Sequence, residues 1–176
     1  MSKKLPRIIS QEEFEKLFKA CKNKEVKLAM LLGFEAGLRI SEIVGYKEND
    51  VWKIYPLTKD KINVAGNSIK IFGKGSKERI VPLPKRFNNV CLAMLPLKIP
   101  RRTLQDNVVQ LGKHILGKSI SFHTLRHGFG SHLAGKKVSL HEIQMLMGHS
   151  RLDTTGVYLH ANPKQAIENA RSVFGG

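Results

Sequence analysis

The amino-acid sequence predicts an α+β fold that is mostly α-helical and contains a small three-stranded antiparallel sheet. Two observations lead to this prediction. Apolar residues recur at helical spacing before residue 37 and after residue 100, whereas short β-branched segments separated by turn residues lie between residues 50 and 83. The chain has 176 residues, 41% of them hydrophobic, and no repeat or long linker divides it. We therefore expect one domain over residues 1–176.

The N-terminal third carries the local signals of three helices. Ser10 followed by Glu13 is typical of a capping box and predicts a first helix over roughly 10–22. A dense apolar run over 25–36, closed by Gly37, predicts a buried second helix. Helical spacing resumes after this glycine. Arg39 is therefore expected to open a new short helix, where its side chain can face a ligand.

Turn residues and apolar periodicity predict the strands in the middle of the chain and the helices of its C-terminal half. Turns at Gly66-Asn67 and Gly73 divide the region between residues 50 and 83 into about three strands. Beyond it, one apolar face predicts a helix near 103–116 that ends at Gly117. Two or three further helices are expected over 124–174.

The charge of the chain indicates a polyanionic partner. Thirty lysines and arginines outnumber 14 acidic residues, giving a formal net charge of +16, and the basic residues are spread along the whole chain. Nucleic acid is the leading partner class, with membrane-surface and ribosome binding as alternatives. Cys21 and Cys91 show no metal-ligand spacing and are expected to be buried free thiols in a reducing compartment. With no apolar targeting or membrane segment in the sequence, we expect a cytoplasmic, nucleoid-associated protein.

Six residues supply what a phosphoryl transfer without a metal ion needs. They are Arg39 in GLRISE, Lys74 in GKGSKER, His123 and Arg126 in HTLRH, His149 in MGHS, and Tyr158 in TTGVYLH. Attack on a phosphodiester builds negative charge on the non-bridging oxygens, and two arginines can offset it with bidentate hydrogen bonds. His123 and Arg126 are three residues apart, which places both on one helix face.

The remaining residues suit the proton transfers. The reference pKa of tyrosine is roughly 10, so a nucleophilic Tyr158 needs a neighbouring base such as His123 or a strongly positive site. The leaving 5′-oxygen must be protonated as it departs. Lys74, on a hairpin between Gly73 and Gly75, can deliver that proton from the opposite side.

In this order the motifs resemble the catalytic domain of tyrosine recombinases, the family of phage-type integrases and Xer-type recombinases, over roughly residues 5–170. The resemblance implies that Arg39 and Arg126 bind the scissile phosphate, and that His123 and His149 hydrogen-bond it. Lys74 would be the general acid, with Lys77 as its rival, and Tyr158 the nucleophile that forms a covalent 3′-phosphotyrosine.

The same resemblance implies the partners and the cofactors. The substrate would be double-stranded DNA, the protein would assemble with copies of itself into a tetramer on that DNA, and neither a metal ion nor ATP would be needed. The last helix, from Pro163 to Phe174, would dock onto a neighbouring protomer. Family members usually carry an additional N-terminal helical domain, which is expected to be absent here.

Other functions fit parts of the sequence. A non-catalytic DNA-binding module or a type IB topoisomerase would share the charge, and the topoisomerase also the chemistry. Residues 112–119 match the phosphate-binding pattern GxxxxGK[ST], but an amphipathic helix precedes Gly117 where an NTPase needs a strand. His123 and His127 have a zinc-ligand spacing without the HExxH context, and no aspartates cluster as a metal-dependent nuclease requires.

Overall fold

Helices make up most of the computed structural model, which describes residues 8–73, 78–148 and 163–174. The helices of the described ranges are α1 (Gln11–Ala20), α2 (Lys24–Glu35), α3 (Ile40–Val44), α4 (Asn89–Ala93), α5 (Arg101–Leu116), α6 (Phe122–Gly135), α7 (Leu140–Met147) and α8 (Pro163–Val173). The strands are β1 (Tyr46–Glu48), β2 (Val51–Ile54), β3 (Ile62–Asn63), β4 (Ser68–Phe72) and β5 (Glu78–Pro82). This arrangement confirms the predicted fold class. In the part of the chain described, no helix is long and apolar enough to cross a membrane.

The first two helices begin and end as their sequences predict. In the capping box of α1, the Ser10 amide donates to Glu13 Oε2 at 3.1 Å and the Glu13 amide donates to Ser10 Oγ at 3.2 Å. The following helix, α2, is buried along most of its length and packs on α6. Gly37, with φ of +66°, comes just after α2, and a Cβ at this position would lie 2.6 Å from Phe129 Cδ1. Glycine is therefore required both for the backbone conformation and for the close packing of α6.

The strands form two separate antiparallel sheets. The predicted three-stranded sheet is present with the order β3–β4–β5, and Ile69 lies opposite Val81 on its buried face. Val51 and Ile54, which were predicted to belong to this sheet, instead lie in β2 and pair with β1. The reason is local, because Asn49 and Asp50 both adopt positive φ, as a two-residue hairpin turn requires. This turn folds β2 back on β1 before the chain reaches the larger sheet.

The C-terminal half confirms its predicted helices. Gly117 adopts the left-handed conformation, with φ of +66°, and ends α5, while Gly112 lies inside that helix. The residues that match the phosphate-binding pattern are therefore mostly helical and form no loop that could hold a nucleotide. Three described helices follow α5, as expected. Cys21 is buried as predicted, whereas Cys91 is only partly buried, and both are free thiols.

A second, smaller apolar cluster joins α6, α7 and α8. The Phe174 ring stacks on the Phe129 ring with centroids 5.8 Å apart. Arg171 of α8 also donates from Nη1 to the main-chain oxygen of Leu83 at 2.8 Å. In this single chain α8 thus packs on its own domain, where the resemblance implies a neighbouring protomer.

Candidate active site

Arg126 of α6 is an arginine held inside the domain, with 5% of its surface exposed. Its guanidinium donates one hydrogen bond to the main-chain oxygen of Gly37 and another to that of Met147. These carbonyls lie just beyond the end of α2 and at the end of α7, so Arg126 joins three helices. Both acceptors are neutral, which leaves the positive charge of Arg126 without a directly bonded carboxylate among the described residues.

Arg39 lies at the start of α3, as predicted. Its amide donates to Glu42 Oε2 at 2.7 Å, and its Nη1 donates to Glu42 Oε1 at 2.9 Å. The side chain of Arg39 nevertheless keeps 36% of its surface exposed, whereas that of Glu42 keeps 1%. Arg39 therefore pairs with Glu42, while about a third of its side chain stays accessible to a ligand.

Arg79 of β5 is a further residue of the candidate site, and the sequence did not single it out. It binds both Glu42 oxygens, from Nη1 at 2.7 Å and from Nη2 at 2.8 Å, and its Nε donates to the main-chain oxygen of Leu146 at 2.8 Å. A Cβ on Gly148 would lie 2.8 Å from Arg79 Cδ, so that glycine allows the close approach. The sequence signal for Arg79 was its position at the end of GKGSKER, the motif that also contains Lys74.

Together these residues form what we call the arginine cluster, composed of Arg39, Arg79, Arg126 and Glu42. Burial alone would raise the pKa of Glu42, but hydrogen bonds and charges from Arg79 and Arg39 outweigh it and lower that pKa. Burial, followed by the positive charges of Arg39 and Arg79, lowers the pKa of Arg126 to about 9. Arg39 and Arg79 bind the carboxylate of Glu42, and the nearby Arg126 adds a third positive charge. This positive excess suits a bound anion.

Two histidines of α6 lie near this cluster. His123 and His127 are both exposed, and their rings are perpendicular with centroids 5.6 Å apart. His123 lies one helical turn before Arg126, but its side chain is exposed whereas that of Arg126 is buried. Burial, followed by the positive charges of His123 and Arg126, lowers the pKa of His127. Within the described ranges, no three histidine, cysteine or acidic side chains are grouped so as to hold a metal ion.

Three of the six predicted residues are placed by the structure, and the other three lie outside the described residues. Arg39 and Arg126 share the arginine cluster, and His123 lies on the helix of Arg126. Lys74 and its rival Lys77 belong to the segment that connects β4 to β5. His149 follows Gly148 directly, and Tyr158 lies between α7 and α8. The roles assigned to all six residues stay predictions.

A second set of ion pairs, which we call the Arg86 cluster, consists of Arg86, Glu15 and Glu35. Arg86 Nε donates to Glu35 Oε1 at 3.0 Å, and its Nη1 donates to Glu15 Oε2 at 3.1 Å. The guanidinium also lies 4.4 Å from the centroid of the Phe18 ring. Burial raises the pKa of Glu35, because it outweighs the hydrogen bond and charge of Arg86. This cluster ties α1 and α2 to the segment that follows β5.

Comparison with known proteins identifies the family. Residues 95–165 match the Phage integrase family. Tyrosine recombinase XerA of Thermococcus kodakarensis is 34% identical over 186 residues, an alignment that covers 95% of this chain and 61% of the relative. The chain belongs to the tyrosine recombinase family. As a tyrosine recombinase it spans about three fifths of the length of this curated relative.

Solved structures of tyrosine recombinases and integrases show the same fold. The integrase of mycobacterium phage Brujita superposes with a TM-score of 0.77 at 22% identity, covering 98% of this chain and 60% of that one. The Tn1549 transposon integrase, solved in complex with circular intermediate DNA, gives a TM-score of 0.57 at 17% identity, with coverage of 97% and 65%. At these identities the likeness concerns the fold alone.

Proposed function

We propose that this tyrosine recombinase is a site-specific DNA recombinase or integrase that cleaves and rejoins DNA strands through a covalent 3′-phosphotyrosine at Tyr158. One observation carries the proposal. Arg126 is buried beside Arg39 and Arg79, and the described part of this cluster contains a single carboxylate. A scissile phosphate with its negative charge would balance the excess.

In this proposal Arg39 and Arg126 hold the phosphate. A guanidinium has five N–H donors, and Arg126 uses two of its nitrogens for the Gly37 and Met147 carbonyls, which fixes the plane of the group. Arg39 is held by Glu42 on one side and is a third exposed on the other. Both groups are thus oriented before substrate arrives, which is the condition for stabilising the charge that develops in the transition state.

The chemical step follows from the remaining residues. The Tyr158 oxygen attacks the phosphorus while its proton passes to His123, and the bond from phosphorus to the 5′-oxygen breaks. Lys74, or Lys77 in its place, protonates the departing oxygen, and His149 donates a hydrogen bond to the phosphate. Rejoining reverses these transfers, with a 5′-hydroxyl attacking the phosphotyrosine. The phosphodiester energy is kept in the covalent bond, so no ATP and no metal ion enter the scheme.

The proposed partners are duplex DNA and further copies of the chain. The net charge of +16 supports binding to a polyanion, and the Tn1549 integrase shares the fold in a complex with DNA. We propose a tetramer on DNA in which α8 leaves its own domain for a neighbour. We further propose that the region over 1–176 acts as the catalytic domain, and that it acts in the cytoplasm on the chromosome.

The decisive experiment uses the three tyrosines of the chain, Tyr46, Tyr55 and Tyr158. Wild type and the three Tyr→Phe variants are incubated in EDTA with nicked suicide duplexes that cover the DNA flanking the native gene. A covalent protein–DNA adduct on a denaturing gel is expected for wild type, Tyr46→Phe and Tyr55→Phe, and not for Tyr158→Phe. No adduct despite measurable binding to the duplex would favour the non-catalytic DNA-binding module.

A further inference from the structure

A groove with a volume of about 500 Å³ lies between the β1–β2 hairpin and the three-stranded sheet. Its size falls within the roughly 300–1,000 Å³ typical of sites for small organic ligands. Trp52 and Tyr55 line it from the hairpin side, and Phe72 lines it from β4. Glu42, whose carboxylate binds Arg39 and Arg79, is also among the lining residues, so the groove lies next to the arginine cluster.

The three aromatic side chains are unusually accessible for rings in a folded domain. Tyr55 is 74% exposed, Phe72 40% and Trp52 37%. The Trp52 and Tyr55 rings are stacked, with centroids 6.0 Å apart and an interplanar angle of 29°. Grouped exposed aromatics indicate a binding surface, because scattered single ones are the norm on monomers.

Positive charge is interleaved with these rings. The Nζ atoms of Lys61 and Lys70 lie 5.2 and 5.4 Å from the Phe72 centroid, and both residues line the groove. Their acidic neighbours, Asp60 at 2.8 Å and Glu78 at 3.0 Å, form exposed ion pairs of the kind that contribute little to stability. A phosphate group can therefore replace either carboxylate with little loss of folding free energy.

We propose that this groove binds unpaired single-stranded DNA, with bases stacked on Tyr55 and Trp52 and with phosphates on Lys61 and Lys70. Stacking rings alternating with cations is the arrangement by which proteins hold single strands without reading their sequence. A duplex cannot use the rings in this way, because neighbouring base pairs cover the base faces. The inference rests on the proposed function in one respect, namely that a strand opened beside the arginine cluster supplies the unpaired bases.

The chain carries its own reporter for this site, because Trp52 is its one tryptophan. Trp52 fluorescence is titrated with three probes at low salt, namely an eight-nucleotide oligo(dT), an abasic strand with the same number of phosphates, and a blunt duplex. We expect saturable quenching by oligo(dT). The abasic strand, which keeps the charge and lacks the bases, is expected to bind far more weakly, and the duplex to bind without quenching.

Two matched variants locate the effect. Tyr55→Ala removes the exposed stacking ring and is expected to weaken oligo(dT) binding by roughly 5- to 150-fold, the range found for one base–aromatic stack. Tyr46→Ala is the control, because Tyr46 lies on the same hairpin, is 36% exposed and has Arg101 over its ring, yet does not line the groove. Its affinity for oligo(dT) is expected to match wild type.

Several results would overturn the inference. Equal quenching by the abasic strand would reduce the effect to charge alone, and equal affinities of Tyr55→Ala and Tyr46→Ala would move the site elsewhere. Self-association that disappears only in Tyr55→Ala would make the groove an interface between copies. The proposed function is judged separately by the Tyr158-dependent adduct. An adduct without Trp52 quenching would contradict only the single-strand site in the groove. Tyr55-dependent quenching without an adduct would contradict only the proposed recombinase chemistry.

Discussion

The arginine cluster and the Arg86 cluster are built from the same two residue types and differ in their balance of charge. In the Arg86 cluster one guanidinium faces two carboxylates, from Glu15 and Glu35. In the arginine cluster Arg39 and Arg79 bind Glu42, the one carboxylate among its described residues, and Arg126 adds a third positive charge. Both contain a carboxylate whose side chain is only 1% exposed. Burial therefore does not distinguish the two clusters, and the sign of the excess charge does.

The two excesses have different physical consequences. Burial raises the pKa of Glu35, so the Arg86 cluster can relieve its negative excess by taking up a proton. Arginine does not lose its proton readily, and even the lowered pKa of Arg126, about 9, leaves it charged at neutral pH. Among the described residues of the arginine cluster, Glu42 is the one carboxylate that offsets the positive charge, so a bound anion would balance the excess. The Arg86 cluster thus ties α1 and α2 to the segment after β5, whereas the arginine cluster keeps a positive excess that fits the proposed phosphate.

The largest effect is expected from removing the planar guanidinium in the arginine cluster. Arg126→Lys and Arg39→Lys should each slow adduct formation by on the order of 100- to 1,000-fold, because a lysine keeps the charge and loses the bidentate geometry. Single-turnover rates with a suicide duplex measure this loss. Arg86→Lys is the matched control and should react at close to the wild-type rate. A near-wild-type rate for Arg126→Lys or Arg39→Lys would show that the substituted arginine does not hold the phosphate.

Substitution of Arg86 should change the stability of the protein and not its activity. Arg86→Met leaves Glu35 buried without its cation, and we expect the free energy of unfolding to fall by about 2–3 kcal/mol. This is less than the ~3–5 kcal/mol of a fully buried pair, since a third of the Arg86 side chain is exposed. Urea denaturation measures the change.

The pH dependence of this loss has a definite sign. The folded-state pKa of Glu35 already lies above its ordinary value, and removing Arg86 raises it further. An acid of this kind lowers stability at pH values above its unfolded pKa, and the penalty disappears as the pH falls and the group is protonated. Arg86→Met should therefore lose more stability at pH 7 than at pH 5. An equal loss at both values would show that Glu35 is not the source.

Sulfate binding should stabilise the folded protein through the arginine cluster and not through the Arg86 cluster, and this effect is smaller than the preceding ones. Sulfate at ten times its Kd is expected to add about 1.4 kcal/mol to the stability of wild type. The gain should shrink in Arg39→Gln and persist in Arg86→Gln, which also corrects for the general stabilising effect of sulfate.

Because Arg126 loses its proton as the pH rises through about 9, sulfate affinity should fall above that pH. Melting curves over a sulfate series at pH 7 and pH 10 test this, and identical responses in both variants would contradict it.

The smallest effect is expected for Glu15→Gln. Glu15 is a third exposed, and Glu35 continues to pair with Arg86 without it. Removing its charge also lowers the pKa of Glu35, since Glu15 contributes to raising it. The unfolding free energy should therefore change by less than about 1 kcal/mol. Urea denaturation beside Glu42→Gln provides the comparison, because Glu42 is the one carboxylate of its cluster and its loss should be clearly larger.

Much of the fold could be predicted because its signals act over a few residues. The capping box at Ser10, the glycine turn at Gly37 and the C-cap at Gly117 mark helix ends in the positions expected from sequence. The separate β1–β2 hairpin was missed for the opposite reason. Apolar alternation shows that a segment is a strand, but which strand it pairs with depends on turn geometry and packing.

For the site, the sequence by itself determined the residue types, their order and the excess of positive charge. Tertiary structure alone decided which of them meet, since Arg79 joins Glu42 across 37 positions and Arg126 joins Gly37 across 89. It also decided that Glu42 is shared by two arginines and that Trp52, Tyr55 and Phe72 line one groove. The physical reason is that local propensities extend over a turn or two of chain, whereas charge balance and concavity arise from packing between distant segments.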